Sequence, residues 1–183
     1  MASVITATTT SGLTQSADNS GVLQLASGTG NLVTVPAVTG TAMVSGNMPA
    51  FSAQSSATTT ITDSTFTKIT YGTEDFDTNS NFASSTFTPT VAGYYQINAN
   101  LRWGTAFAAT QQAILIYKNG SVWNRGGGGG TAGLVGYLTV STLVYCNGST
   151  DYIEVYAFQN SGSSVTNDNS SWAKFSGCLV RAA

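Results

Sequence analysis

The chain has 183 residues, a net charge of −2 and no histidine, a length that suits one well-filled core plus an appendage. Charged residues make up only 8% of it, against about 25% in ordinary soluble domains. No basic face exists to displace counterions from a phosphate backbone, which excludes nucleic acid; no apolar run approaches the ~20 residues that span a bilayer, so no membrane insertion is expected.

The opening Met1-Ala2-Ser3-Val4-Ile5-Thr6 lacks the basic and apolar regions of a secretory signal, which predicts assembly in a cytoplasm. Residues 1–48 are nearly uncharged and rich in Thr, Ser and Gly, with two short apolar stretches holding Val22, Leu23 and Leu25, then Leu32, Val33 and Val35. So polar a segment cannot fill a core of its own. It is read as an extended docking arm that lies against other subunits, with those six residues as its contacts.

Residues 49–183 are read as a second, compact domain. Helical spacing is absent there, whereas alternation of period two recurs in segments rich in Val, Ile, Thr, Tyr and Phe. The clearest strand puts Tyr95, Ile97, Ala99, Leu101 and Trp103 on one face and Tyr94, Gln96, Asn98, Asn100 and Arg102 on the other. The first set is predicted to be core, the second to meet solvent or a neighbour. Ala113–Lys118 runs into Asn119-Gly120, a dipeptide suited to a tight hairpin, and Ser121-Val122-Trp123 begins the return strand. The five glycines 126–130 are read as a mobile loop tip. Tyr137–Cys146, Asn147-Gly148 and Tyr152–Phe158 read as a further hairpin, and Ala173–Val180 as the last strand. The sequons at Asn119, Asn147 and Asn169 are read as turns. Cys146 and Cys178 are expected as buried free thiols.

Several spaced features of this domain resemble the C1q/tumour-necrosis-factor family. They are Tyr71, the turn 77–81, Phe87-Thr88-Pro89, Gly93-Tyr94-Tyr95-Gln96-Ile97-Asn98-Ala99, Lys118-Asn119-Gly120 and Phe175-Ser176-Gly177-Cys178-Leu179. Ile97 stands where that family usually has an aromatic. The resemblance implies an all-β, antiparallel jelly-roll sandwich that forms homotrimers, here preceded by the extended arm. No collagen-like Gly-X-Y stalk is present. The phrases 12–25 and 39–50 are similar to segments of bacteriophage virion structural proteins.

Apolar side chains on both faces of one strand point independently to assembly: the aromatics Tyr152, Tyr156 and Phe158 lie opposite Ile153, Val155 and Ala157. A sandwich core buries one face only, so the three surplus aromatics are candidates for a trimer interface.

Catalysis is not expected. Without histidine there is no imidazole base, and neither cysteine has a cationic neighbour in sequence to lower its pKa. Glu74-Asp75-Phe76-Asp77, and Asp151 with Glu154, are the acidic clusters, but neither has the spacing of a glycosidase pair or of a calcium loop. No cofactor or metal is expected. Trp103 is predicted to be core, while Trp123 and Trp172 are candidates for stacking on sugars. The expectation is a bacteriophage virion surface protein that decorates or cements the capsid or forms a head fibre. Its partners would be its own copies, the major capsid protein or other virion proteins. The alternative is a tail-fibre knob recognising a host surface receptor, glycan or protein, through residues 126–136 or 161–171.

Overall fold

The computed structural model describes residues 23–26, 32–35, 46, 48–128, 135–169 and 171–183. The chain divides into two units, Met1–Thr41 and Ala42–Ala183. In the first, β1 (Leu23–Ala26) and β2 (Leu32–Val35) pair as an antiparallel hairpin with Leu23 opposite Val35 and Leu25 opposite Val33. The two apolar stretches picked out from sequence are thus each other's partners along the backbone. Val22 lies outside the described residues.

The second unit is an antiparallel sandwich. One sheet has the order β12 (Tyr137–Cys146), β9 (Gly93–Arg102), β15 (Lys174–Ala182), β3 (Ala50–Gln54), β6 (Thr73–Asp77). The other runs β11 (Ser121–Gly128), β10 (Gln112–Lys118), β13 (Ile153–Gln159), β8 (Thr86–Phe87), β7 (Phe82–Ala83), with β5 (Thr67–Lys68) also paired to β13. A two-stranded ribbon joins β4 (Thr60–Ile61) to β14 (Val165–Thr166).

Alternation decides what is inside. Tyr95, Ile97, Ala99, Leu101 and Trp103 are all buried, as their spacing predicts, and so are Ile153, Val155 and Ala157 from the opposite sheet. The residues that carry the family resemblance meet in one aromatic cluster. Phe51 stacks on Phe87 at 4.3 Å and on Phe82 at 5.0 Å, and meets Phe175 edge-on at 4.9 Å. Tyr95 lies against Phe87, and Tyr71 against Phe175, both at 5.5 Å.

Two turns repay their sequence signals differently. Asn119 and Gly120 both have positive φ, 52° and 75°, and close the β10–β11 hairpin as expected. Asn147-Gly148 does not make a hairpin. β12 pairs with β9 and β13 with β10, so this turn carries the chain from one sheet to the other. The Asn147 side-chain oxygen accepts the backbone N–H groups of Ser149, Thr150 and Asp151 and winds the chain through the crossing. Gly148 sits at φ +72°, and a Cβ there would come within 2.4 Å of the Ala92 nitrogen.

The glycine run is a second correction. Gly126, Gly127 and Gly128 belong to β11 rather than to a loop tip. A side chain at Gly126 would place its Cβ 2.0 Å from the Thr139 carbonyl oxygen of β12. Glycine therefore lets the edges of the two sheets close on each other. Gly129 and Gly130 lie outside the described residues.

Because Phe51 touches three other core rings, Phe51→Ala is expected to cost about 3–5 kcal/mol, measured as a fall in the urea midpoint with an unchanged slope.

Candidate functional site

The outward face of the β12–β9–β15–β3–β6 sheet is banded along its strands. At one end Tyr145 faces Tyr94 across the ladder, with ring centroids 5.4 Å apart, and Leu143 faces Gln96, which in turn faces Cys178. Val180 stands out at the register shift of β15. Tyr94, Leu143, Tyr145, Cys178 and Val180 are all exposed. Cys178 is therefore not the buried thiol expected from sequence. β15 turns it outward, whereas Cys146 is in the core and burial pushes its thiol up to about 11.

The middle of the face is uncharged and polar. The Ser141 hydroxyl donates to Asn98 Oδ1 at 2.8 Å, and Gln96 Nε2 donates to Ser141 Oγ at 2.8 Å. Further along, Lys174 is paired with Asp75 at 2.8 Å, and that carboxylate also accepts the Ser52 hydroxyl. These hydrogen bonds hold the Asp75 carboxyl below the usual range. At the far end Tyr137 faces Arg102 in register, and Trp172 closes over them.

Behind the first band lies an ionic anchor. Lys118 Nζ is 2.9 Å from Asp151 Oδ2 and donates to the Tyr145 carbonyl at 2.8 Å, with the rings of Trp123 and Tyr145 at 5.7 and 5.8 Å. Asp151 also accepts Asn119 Nδ2 at 2.7 Å and the Asn147 N–H at 3.0 Å. The Asn119 hydrogen bond first, then that from Lys118, hold its carboxyl below the usual range. The charged groups beneath the aromatic band are thus matched.

The aromatics singled out from sequence lie on the other sheet. Tyr156 stacks on Tyr117 at 4.1 Å, and Phe158 lies 4.9 Å from Phe66. In register they face Leu115 and Ala113, both buried although they project from the side of β10 away from the main core. Tyr156 and Phe158 are therefore half-buried within their own chain, in a small second cluster, and so is Tyr152 beside the Asn119-Gly120 turn. Period two in Tyr137–Cys146 was the signal that could have found the other face, since it sets Tyr137, Leu143 and Tyr145 opposite Leu138, Val144 and Cys146.

The acidic candidates disperse. Asp75 turns to Lys174, Asp77 accepts the Phe82 N–H at 2.7 Å, and Glu154 pairs with Lys68 at 2.7 Å on the second sheet. Asn119 and Asn147 lie in turns with their amides engaged by the chain. Trp103 is buried, while Trp123 and Trp172 are exposed.

With strand order and core in place, comparison with known proteins is decisive for architecture. The globular domain of the zebrafish complement 1qA protein superposes with a TM-score of 0.57 at 14% identity, over 74% of this chain and 99% of that one. The fold is the C1q/TNF jelly roll. Murine APRIL at pH 5.0 gives a TM-score of 0.58 at 8% identity over 73% of this chain and 99% of its own. Eiger TNF from S. frugiperda gives 0.56 at 5% identity over 74% and 93%. No protein-family model matches the sequence, and no curated protein matches it. At such identities the likeness is one of jelly-roll architecture.

The Asp151 anchor yields a signed pH dependence. Its native pKa is depressed, so between that value and the unfolded value of about 3.9 the unfolded chain binds more protons. The contribution is complete above that ordinary value and disappears as pH falls through the native one. Asp151→Asn is expected to flatten that acid limb in denaturant titrations from pH 7 to 2. Asp151→Ala, which strands Lys118 and Asn119, is expected to cost about 2–3 kcal/mol at pH 7.

Proposed function

We propose that this chain is a bacteriophage virion structural protein, a homotrimeric surface knob mounted by its N-terminal arm that decorates or cements the capsid or forms a head fibre. The observation that carries self-assembly is the band of Tyr94, Leu143, Tyr145 and Val180 on the five-stranded sheet, continued by an uncharged amide and hydroxyl network. In a trimer the residues nearest the threefold axis meet their own copies, and like charges there would repel. The aromatics, amides and hydroxyls of this face have the composition of an interface core, and the exposed Arg181 in register with Tyr94 that of a polar rim. The virion setting is supported by the similarity of 12–25 and 39–50 to phage structural proteins, and self-association by the jelly-roll fold.

This assignment moves the candidate interface from Tyr152, Tyr156 and Phe158 to the opposite face, because all three are half-buried in their own chain, two of them stacked or packed on Tyr117 and Phe66. The reading as a tail-fibre knob that recognises a host receptor has one favourable observation, the exposed Trp172 beside residues 161–171.

Light scattering is expected to give three times the 18.8 kDa chain mass. Leu143→Glu or Tyr145→Glu should give folded monomer. Monomeric wild-type protein would sink the assembly reading, and dissociation by Tyr152→Lys instead would place the interface on the other sheet. Deleting residues 1–48 is expected to leave a folded trimer that no longer enters particles; incorporation at wild-type level would refute the arm's docking role.

A further inference from the structure

At the end of the five-stranded sheet away from the assembly band, three chain segments bring two large aromatic rings to the surface side by side. Tyr137 opens β12, Trp172 precedes β15, and Arg102 closes β9 between them. The tyrosine is 55% exposed and the tryptophan 53%. Their centroids are 5.7 Å apart with planes at 67°, so they form a corner rather than a stack. Eight residue steps along the strand separate Tyr137 from Tyr145, about 26 Å at ~3.3 Å per step. This corner is therefore distinct from the assembly band.

The corner is held rigid from behind. The Arg102 guanidinium lies 5.7 Å from the Tyr137 ring and 5.8 Å from the Trp172 ring, and is ion-paired with Asp168. The Asp168 N–H donates to the Arg102 carbonyl at 2.8 Å, and Asn100 Nδ2 donates to the Trp172 carbonyl. Folding gains little from leaving two such rings half in water. Rings that are both exposed and pre-positioned lose little freedom when a ligand covers them.

We propose that Tyr137 and Trp172, with Arg102, Asp168 and Asn100 at their rim, form a binding site for a neutral carbohydrate chain. A pyranose ring offers an apolar C–H face that packs on an aromatic ring, while its hydroxyls need planar donors and acceptors at the edge. Arg102, Asp168 and Asn100 supply both. Charge selects the class. Asp168 matches Arg102, which leaves no unpaired cation to prefer sialic or uronic acids. A cationic ligand is disfavoured because Arg102 already occupies the place between the rings where it would sit. The site deepens the receptor-binding reading by naming a ligand class, and it works equally on a decorating knob, since it does not depend on trimer formation.

The test uses the full chain on an immobilised panel of neutral hexose and N-acetylhexosamine oligosaccharides, beside sialylated and uronate-containing ones, with solution mass measured for every variant. Binding to members of the neutral set is expected. Trp172→Ala and Tyr137→Ala should each weaken it about tenfold or more, Trp172→Phe should retain most of it, and Trp123→Ala should leave it unchanged, all at wild-type mass. The proposal is overturned by absence of neutral-glycan binding, by binding confined to acidic glycans, or by undiminished binding in Trp172→Ala. Loss of oligomer mass in Trp172→Ala would overturn it by making the corner a subunit contact, whereas loss of mass in Leu143→Glu with retained glycan binding would separate the two surfaces.

Discussion

The edge of β12 is the constraint around which the molecule is arranged. A strand at the end of a sheet presents a row of unpaired carbonyls, a liability for any chain and more so for one with few charges to guard it. Here the carbonyls of Ser141, Leu143 and Tyr145 accept Asn124 Nδ2, Trp123 Nε1 and Lys118 Nζ, all from the opposing sheet. At Thr139, Gly126 brings the backbone of β11 close. The sandwich is thus fastened along this side by side chains where a barrel would use backbone pairing.

That fastening has consequences on both surfaces. It draws Lys118 behind Tyr145 and Trp123, which requires the counter-charge that Asp151 supplies, and Asp151 is in turn set by the Asn147 turn between the sheets. One chain of polar contacts therefore links the crossing of the chain to the outward aromatic band. On the second sheet Tyr156 and Phe158 stand in register with the buried Leu115 and Ala113 of β10. Each outward face has its own aromatic group, and on the second sheet Tyr156 and Phe158 are half-buried against Tyr117 and Phe66.

Period-two spacing made much of the fold legible. It located Tyr95, Ile97, Ala99, Leu101 and Trp103 as core, and Asn119-Gly120 as a hairpin, because both depend on local geometry alone. It failed where non-local pairing decides. Asn147-Gly148 has hairpin chemistry, yet its flanking strands find better partners in β9 and β10. The glycines at 126–128 have loop composition, yet they lie in β11, and the missing side chain of Gly126 serves a close approach between sheets. The surplus aromatics at 152–158 are visible in sequence, while their register with the buried Ala113 and Leu115 is not, because that too is a non-local pairing.

The two ends of the five-stranded face differ in how their charges are used, and this separates their roles. At the Tyr94–Tyr145 end the cation Lys118 lies beneath the rings, satisfied by Asp151 and a carbonyl, and the exposed Arg181 stands in register with Tyr94 beside the apolar Leu143, Tyr145 and Val180. At the Tyr137–Trp172 end the cation Arg102 sits between the rings and close to the surface, with its carboxylate partner beside it, so polar groups and aromatic faces are offered together. An apolar band favours a broad, dry contact; a mixed corner favours a small ligand with both apolar and hydroxyl faces. With the Lys174–Asp75 pair between them, the two ends fit the two proposed roles, assembly at one and recognition at the other.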